Sequence, residues 1–149
     1  MKILIVHEIE WIDKVSFEPH HLAELFAING HEVFVVDCAA PNFKDLSKGT
    51  KTRKITNYSK IYKDAKITLI RPPSLLIKGF NRITHFFSCK KVIEKTIKDE
   101  KIEIVLLYGS VTNGNQTIQV AHENNIPVIY KPIKALFFNS TVIFARHLV

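Results

Sequence analysis

The chain has 149 residues, 46% of them hydrophobic and 23% charged. That is enough for one globular domain with a useful core, and it excludes a disordered or fibrous chain. No stretch approaches the roughly 20 apolar residues that span a bilayer. The acidic residues Glu8, Glu10 and Asp13 directly after the first apolar run do not fit a secretory leader, so the expected location is the cytoplasm. The net charge is +7, with much of the excess between Lys44 and Lys66, where Lys48, Lys51, Arg53, Lys54, Lys60 and Lys63 also lie. A basic segment of this kind can face an anionic lipid surface or a phosphorylated substrate, or be a solvated loop. No nucleic-acid motif accompanies it, so nucleic acid is not an expected partner.

Ile3 to Val6 is unbroken apolar, as for a strand buried on both faces. A loop follows from His7. Pro19 suits a first helical turn, and Leu22, Leu25 and Phe26 recur at helical spacing as the expected inner face. Asn29-Gly30 ends that helix by the left-handed route, and Glu32 to Asp37 is the second strand. Residues 40 to 52 read as loop, with Pro41, Asn42, Ser47 and Gly49 as punctuation. Lys54 to Tyr58 and Ile67 to Ile70 read as strands, the second stopped by Pro72-Pro73. Gly79 to Glu100 reads as a long helix with Phe80, Ile83, Phe87, Ile93 and Ile97 inward, and Lys91, Glu94, Lys95 and Lys98 in solvent.

Ile102 to Tyr108 is a further buried strand. Thr112 or Asn113 is the expected cap of a helix that runs to Asn124, with Ile118 and Ala121 inward and Asn125 closing it. Pro127 to Tyr130 is the next strand. Strands alternating with helices over short connections predict a parallel α/β sheet with right-handed crossovers. From Ala135 to Val149 the pattern gives way to an apolar tail containing Phe137, Phe138, Val142, Ile143 and Phe144. A cut through a larger protein, or a last helix packed on the sheet, accounts for such a tail. Cys38 and Cys89 are expected to be buried thiols rather than a bridge.

Ligands of parallel sheets sit outside the carboxyl ends of the strands, so the loop from His7 to His21 is the first candidate site. It contains no glycine, which excludes the G-x-G-x-x-G turn and an NAD or FAD site there. His7-Glu8, His31-Glu32 and His122-Glu123 begin the zinc motif H-E-x-x-H, but Trp11, Val35 and Ile126 stand where the second histidine is needed. His20 and His21 point about 100° apart on a helix and cannot share a metal as an i, i+4 pair would. No metal and no cofactor is expected. The candidate ligand-binding residues in this loop are Ser16, Glu18 and His20. For His20 the alternative is an exposed polar residue on the first helical turn. The second candidate is Tyr108-Gly109-Ser110-Val111-Thr112-Asn113, which leaves a buried strand and enters a helix, where free N–H groups favour an anion or sugar hydroxyls. Tyr108, Ser110 and Asn113 are its binding candidates, with a plain capping loop as the alternative.

Lys2 to Val6, His21-Leu22-Ala23-Glu24-Leu25, Asn29-Gly30-His31-Glu32-Val33, the strand Ile102 to Leu107 and Ile126-Pro127-Val128-Ile129-Tyr130, in this order and spacing, resemble the opening of family 4 glycosyltransferases. The resemblance covers residues 1 to 133, and residues 134 to 149 form the tail. It implies a Rossmann-like three-layer domain with a mainly parallel sheet, the N-terminal half of a GT-B architecture. It further implies an acceptor-binding role in an enzyme that moves a sugar from a nucleotide donor to a hydroxyl acceptor. The nucleotide sugar is then a co-substrate held by a donor domain or partner chain that this sequence lacks. The acceptor implied is a sugar or a lipid-linked acceptor, with the protein peripheral on an anionic inner membrane face. The family's Gly-Gly pair is absent from the first loop, and Ile133 stands where a histidine often lies near the reacting sugar, so no catalytic residue is carried over. A non-catalytic binding or interaction module is the alternative.

Overall fold

The computed structural model describes residues 1–7, 10–37, 51–73, 80–109, 113–132 and 143–145. The elements in chain order are β1 (Lys2–His7), α1 (Glu18–Ile28), β2 (Glu32–Val36), β3 (Arg53–Tyr58), β4 (Ile67–Arg71), α2 (Phe80–Glu100), β5 (Ile104–Tyr108), α3 (Gly114–Glu123), β6 (Val128–Lys131) and β7 (Ile143–Ala145). The sheet order is β3-β4-β2-β1-β5-β6-β7. The five inner strands are mutually parallel, and β3 and β7 are antiparallel at the two edges. The chain is therefore a Rossmann-like α/β domain, as the alternation of strands and helices predicts. Of the apolar tail, Ile143–Ala145 adds an edge strand beside β6, and its other residues lie outside the described set.

The apolar runs of the strands divide by the two-residue period of a pleated sheet. Leu4, Val6, Phe34, Ile70, Val105 and Leu107 face one way, against Cys89, Ile93 and Ile97 of α2 and Val120 and Ala121 of α3. Ile3, Ile5, Val33, Val35, Ile67 and Leu69 face the other way, against Trp11 and Ala23. Each fully buried aliphatic side chain contributes about 1.5–3 kcal/mol, so these two layers supply most of the driving force. Truncating Leu107, which has no exposed surface, costs about 2–5 kcal/mol through lost transfer energy and the cavity left behind.

All three helices end in the same way. The N–H of His31, Ile102 and Ile126 donates to the carbonyl of Phe26, Ile97 and Ala121, five residues back, at 3.1, 3.1 and 2.8 Å. That closure needs a left-handed residue one position earlier. Gly30 supplies it at φ +84°, while Asn125 and Lys101 adopt it at φ +56°. The exits expected at Gly30 and Asn125 are thus observed.

The helix faces match expectation in part: Leu22 and Phe26 of α1, Ile93 and Ile97 of α2 and Ala121 of α3 face the core, whereas Leu25, Phe87 and Ile118 do not. Pro19, His20, Ala23 and Glu24 are the buried residues of α1, while Leu25 is 42% exposed. The inner stripe of α2 runs through Cys89, Ile93, Thr96 and Ile97, and Phe87 is 70% exposed because it sits about 120° around the helix from Ile93. Ile118 is exposed for the same reason: Thr117, Val120 and Ala121 take the inner face of α3, and Ile118 follows Thr117 by about 100°. Phe80 and Ile83 lie among residues whose side chains are outside the described set. No described helix is long and apolar enough to cross a membrane.

Candidate functional site

Connections from β1 run to β2 and β4 on one side, while β5 and β6 lie on the other. The order reverses between β1 and β5, and ligands of open α/β sheets bind at such a reversal. His7 ends β1 directly opposite Tyr108, and Tyr108 lies opposite Lys131 at the end of β6. Aromatic rings fill this end. The His7 ring centroid is 5.9 Å from Trp11, 5.5 Å from Phe17 and 6.0 Å from Tyr108. Trp11 and His20 stack with centroids 4.1 Å apart.

A charged network anchors the loop that follows β1. Arg71, the last residue of β4, donates its Nε to both oxygens of Asp37 at 3.2 Å and its Nη2 to Asp37 Oδ2 at 2.9 Å. The same Nη2 pairs with Glu10. Asp37 also accepts the Trp11 N–H at 3.0 Å. Glu10 in turn accepts the N–H groups of Ile12 at 3.0 Å, Lys14 at 3.2 Å and Asp13. All three charged side chains are nearly buried. Burial pushes the Asp37 carboxyl up to about 6, against the pull of Arg71 and the Trp11 N–H. Burial works the same way on Glu10, but the Asp13 N–H and Arg71 outweigh it and hold its pKa below the usual carboxylate value. One guanidinium thus serves two carboxylates, and the better-bonded one keeps its charge more firmly.

Three more side chains complete the clamp. The Lys60 ammonium donates to the carbonyls of Trp11 at 2.8 Å, Ile12 at 3.0 Å and Lys14. Glu24, fully buried on α1, accepts the N–H groups of Lys60 at 2.5 Å, Ile61 at 2.9 Å and Tyr62 at 2.7 Å. His20 Nε2 bonds the Trp11 carbonyl at 3.0 Å, and Nδ1 accepts the Phe17 N–H at 3.4 Å. This pairing assigns the neutral Nε2–H tautomer. Burial lowers the His20 pKa further, against the hydrogen bond to Trp11.

The candidates named from sequence therefore separate. His20 points into the protein with both ring nitrogens used, neither at the mouth of the loop nor exposed on the first turn. Its partners lie 3 and 9 residues away, on a loop that has no helical periodicity. Ser16 is half-buried. Glu18 stays exposed on the first turn of α1 and pairs with Lys131. The Lys131 ammonium also lies 5.8 Å from the Tyr108 ring centroid, so Glu18, Lys131 and Tyr108 meet at the rim. Tyr108 is 3% exposed, and burial raises its phenol pKa. Its hydroxyl and the Trp11 Nε1–H have no hydrogen-bond partner among the described residues. Asn113 is buried as the N-cap of α3, where its carbonyl accepts the N–H of Thr117 at 2.9 Å and its hydroxyl at 2.8 Å. Ser110 and Thr112 lie outside the described residues.

Sequence reasoning missed Arg71 and Lys131, and took His7 only as the start of the first candidate loop. The available signal was positional: each is the last residue of a parallel strand. Arg71 and Asp37, of opposite charge, end neighbouring strands and were a readable pair. Among the described residues no group of three or more His, Cys, Asp or Glu is placed to hold a metal ion. The arrangement suits binding, through two buried donors without partners among the described residues and an ion pair at the rim.

No known sequence family matches the chain, and no curated protein does. Solved structures share its fold. The C-terminal domain of a hydrogenase from Pyrococcus furiosus superposes with a TM-score of 0.58 at 16% identity, over 87% of this chain and 89% of that one. A UGT transferase from Siraitia grosvenorii, solved in complex with UDP, gives 0.50 at 14% identity over 87% of this chain. The chain spans only 27% of that transferase.

Proposed function

We propose that the chain is the acceptor-side domain of a glycosyltransferase that transfers a sugar from a nucleotide donor to a hydroxyl acceptor. The nucleotide-sugar site then lies on a donor domain or partner chain, and this chain alone is inactive. The observation that carries the reading is that Tyr108 and Trp11, both packed on His7 at the β1/β5 reversal, each bury a donor without a partner among the described residues, with the Glu18–Lys131 pair beside Tyr108. A hydroxylated ligand satisfies both kinds of group: it accepts from buried donors and exchanges into a rim ion pair at little cost. The Rossmann-like fold and the resemblance of residues 1 to 133 to family 4 support the same class. A lipid-linked acceptor would bring the exposed Lys51, Arg53, Lys63 and Lys66 toward an anionic membrane face.

The second reading, a non-catalytic binding or interaction module, is favoured by one observation. Glu10, Lys60, Glu24 and His20 are all engaged by backbone groups, so none of these four is left as an acid or base for chemistry. Saturation-transfer NMR with a panel of methyl glycosides tests the binding role. The expected result is saturation of at least one glycoside, weakened about tenfold in Glu18→Ala/Lys131→Ala by loss of charge-assisted hydrogen bonds. No saturation across the panel, or equal saturation of the double variant, contradicts it.

A further inference from the structure

A second concavity lies on the outer flank of the sheet, between α2 and the β3–β4 edge, two strands removed from β1. Its volume is about 540 Å³, within the range of small-ligand pockets. Ile70, Pro73 and Val92 line it with apolar surface. Lys91 and Lys95 stand one helical turn apart on its wall, both exposed, and neither forms an ion pair among the described residues. Like charges at this spacing repel, so an anion between them is favoured.

Lys54, Glu100, Ser88 and Thr96 of the groove are already engaged. Lys54 is 2.5 Å from the Glu100 carboxylate, which cancels its charge. Ser88 donates its hydroxyl proton to the Pro73 carbonyl, and Thr96 donates to the Val92 carbonyl at 2.8 Å. Among the described residues that line the groove, Lys91 and Lys95 are the ammonium groups without an ion pair, and they can hold an anion by donation. Asp99 lines the pocket about 12 Å along the helix axis from Lys91, which sets the direction of the ligand. The anionic end belongs at Lys91, and an uncharged body belongs along Val92 and Ile70.

We propose that this groove binds a phosphomonoester carried on an apolar body. Two unpaired ammonium groups match a dianionic head, and the aliphatic floor matches a flat or short-chain body. The site is independent of the crevice at β1 and β5. The test is a titration of the ¹⁵N-labelled chain with 1-naphthyl phosphate, read by amide chemical shifts. The expected result is saturable shifts confined to residues such as Lys54, Val92, Lys95 and Thr96. Two charge-assisted contacts predict about tenfold weaker binding for the neutral 1-naphthol and for Lys91→Ala/Lys95→Ala. Both lysines are exposed, and matching unfolding curves verify that the variant is folded. A further variant, Val92→Trp, fills the groove and is expected to abolish the shifts while keeping the lysines. Displacement of 1-naphthyl phosphate by phosphatidic acid vesicles assigns the body to a lipid; retention against vesicles assigns it to a soluble phosphomonoester. Absence of saturable shifts, shifts located elsewhere, or undiminished binding in both variants overturns the proposal.

Discussion

Arg71 is the residue on which the first loop depends. It neutralises Asp37 at the end of β2 and Glu10 in the loop, and both carboxylates also take backbone N–H groups. Replacing it by methionine keeps the volume but leaves two buried carboxylates without a cation. We expect Arg71→Met to lose about 3–5 kcal/mol of unfolding free energy in urea titrations, the cost of breaking a buried pair from one side. The pH dependence follows from Asp37, whose folded pKa of about 6 lies above the unfolded value near 3.8. Between these values the folded chain binds the proton and the unfolded chain does not, so this carboxyl adds stability as pH falls. Its contribution is fully present below the unfolded value and is lost as pH rises through about 6. His20 acts oppositely, because its lowered pKa makes acid destabilising below its ordinary range near 6.5. Urea titrations from pH 4.5 to 7.5 separate the two. Relative to Asp37→Asn, the wild type is expected to gain stability toward the acid end; a parallel pair of curves contradicts this.

At the scale of elements, what was legible depended on where the hydrogen-bond partners lie. The strands were legible because β1, β2 and β5 contain unbroken apolar runs and β4 is apolar but for Thr68 before its terminal Arg71, and the exits at Gly30 and Asn125 were legible from local backbone chemistry. The inner face of α1 was legible only in part: Leu22 and Phe26 pack on the core as expected, but Leu25 does not and Glu24 was not foreseen. Glu24 is buried there because it caps three N–H groups 36 to 38 residues further along, a partnership no local periodicity encodes. Leu25 is displaced outward as a result. Of the six binding candidates, Glu18 and Tyr108 come together through Lys131, whereas His20 belongs to the clamp. Glu24→Ala is expected to cost about 2–3 kcal/mol in urea titrations, because it strands three donors of a turn. Lys101 gives the opposite sign. It holds a left-handed conformation at the exit of α2, where glycine carries no Cβ penalty. Lys101→Gly is expected to stabilise the fold by about 0.5–1 kcal/mol, seen as a raised Tm.

At the scale of the whole molecule, the parallel sheet brings the ends of its strands to one edge and places the reversal of order at β1 and β5. The clamp made by Arg71, Lys60 and Glu24 fixes the first loop over that edge, leaving Glu18 and Lys131 at the rim and Tyr108 below them. Similarity to known structures at 14–16% identity establishes this fold and nothing finer, so the ligand must be found by binding. Mapping the amide shifts of the ¹⁵N-labelled chain with methyl glycosides measures this most directly. The account predicts shifts centred on Phe17 to His21, Tyr108, Gly109 and Lys131. Shifts confined to other surfaces, or no shifts at any glycoside concentration, would contradict it.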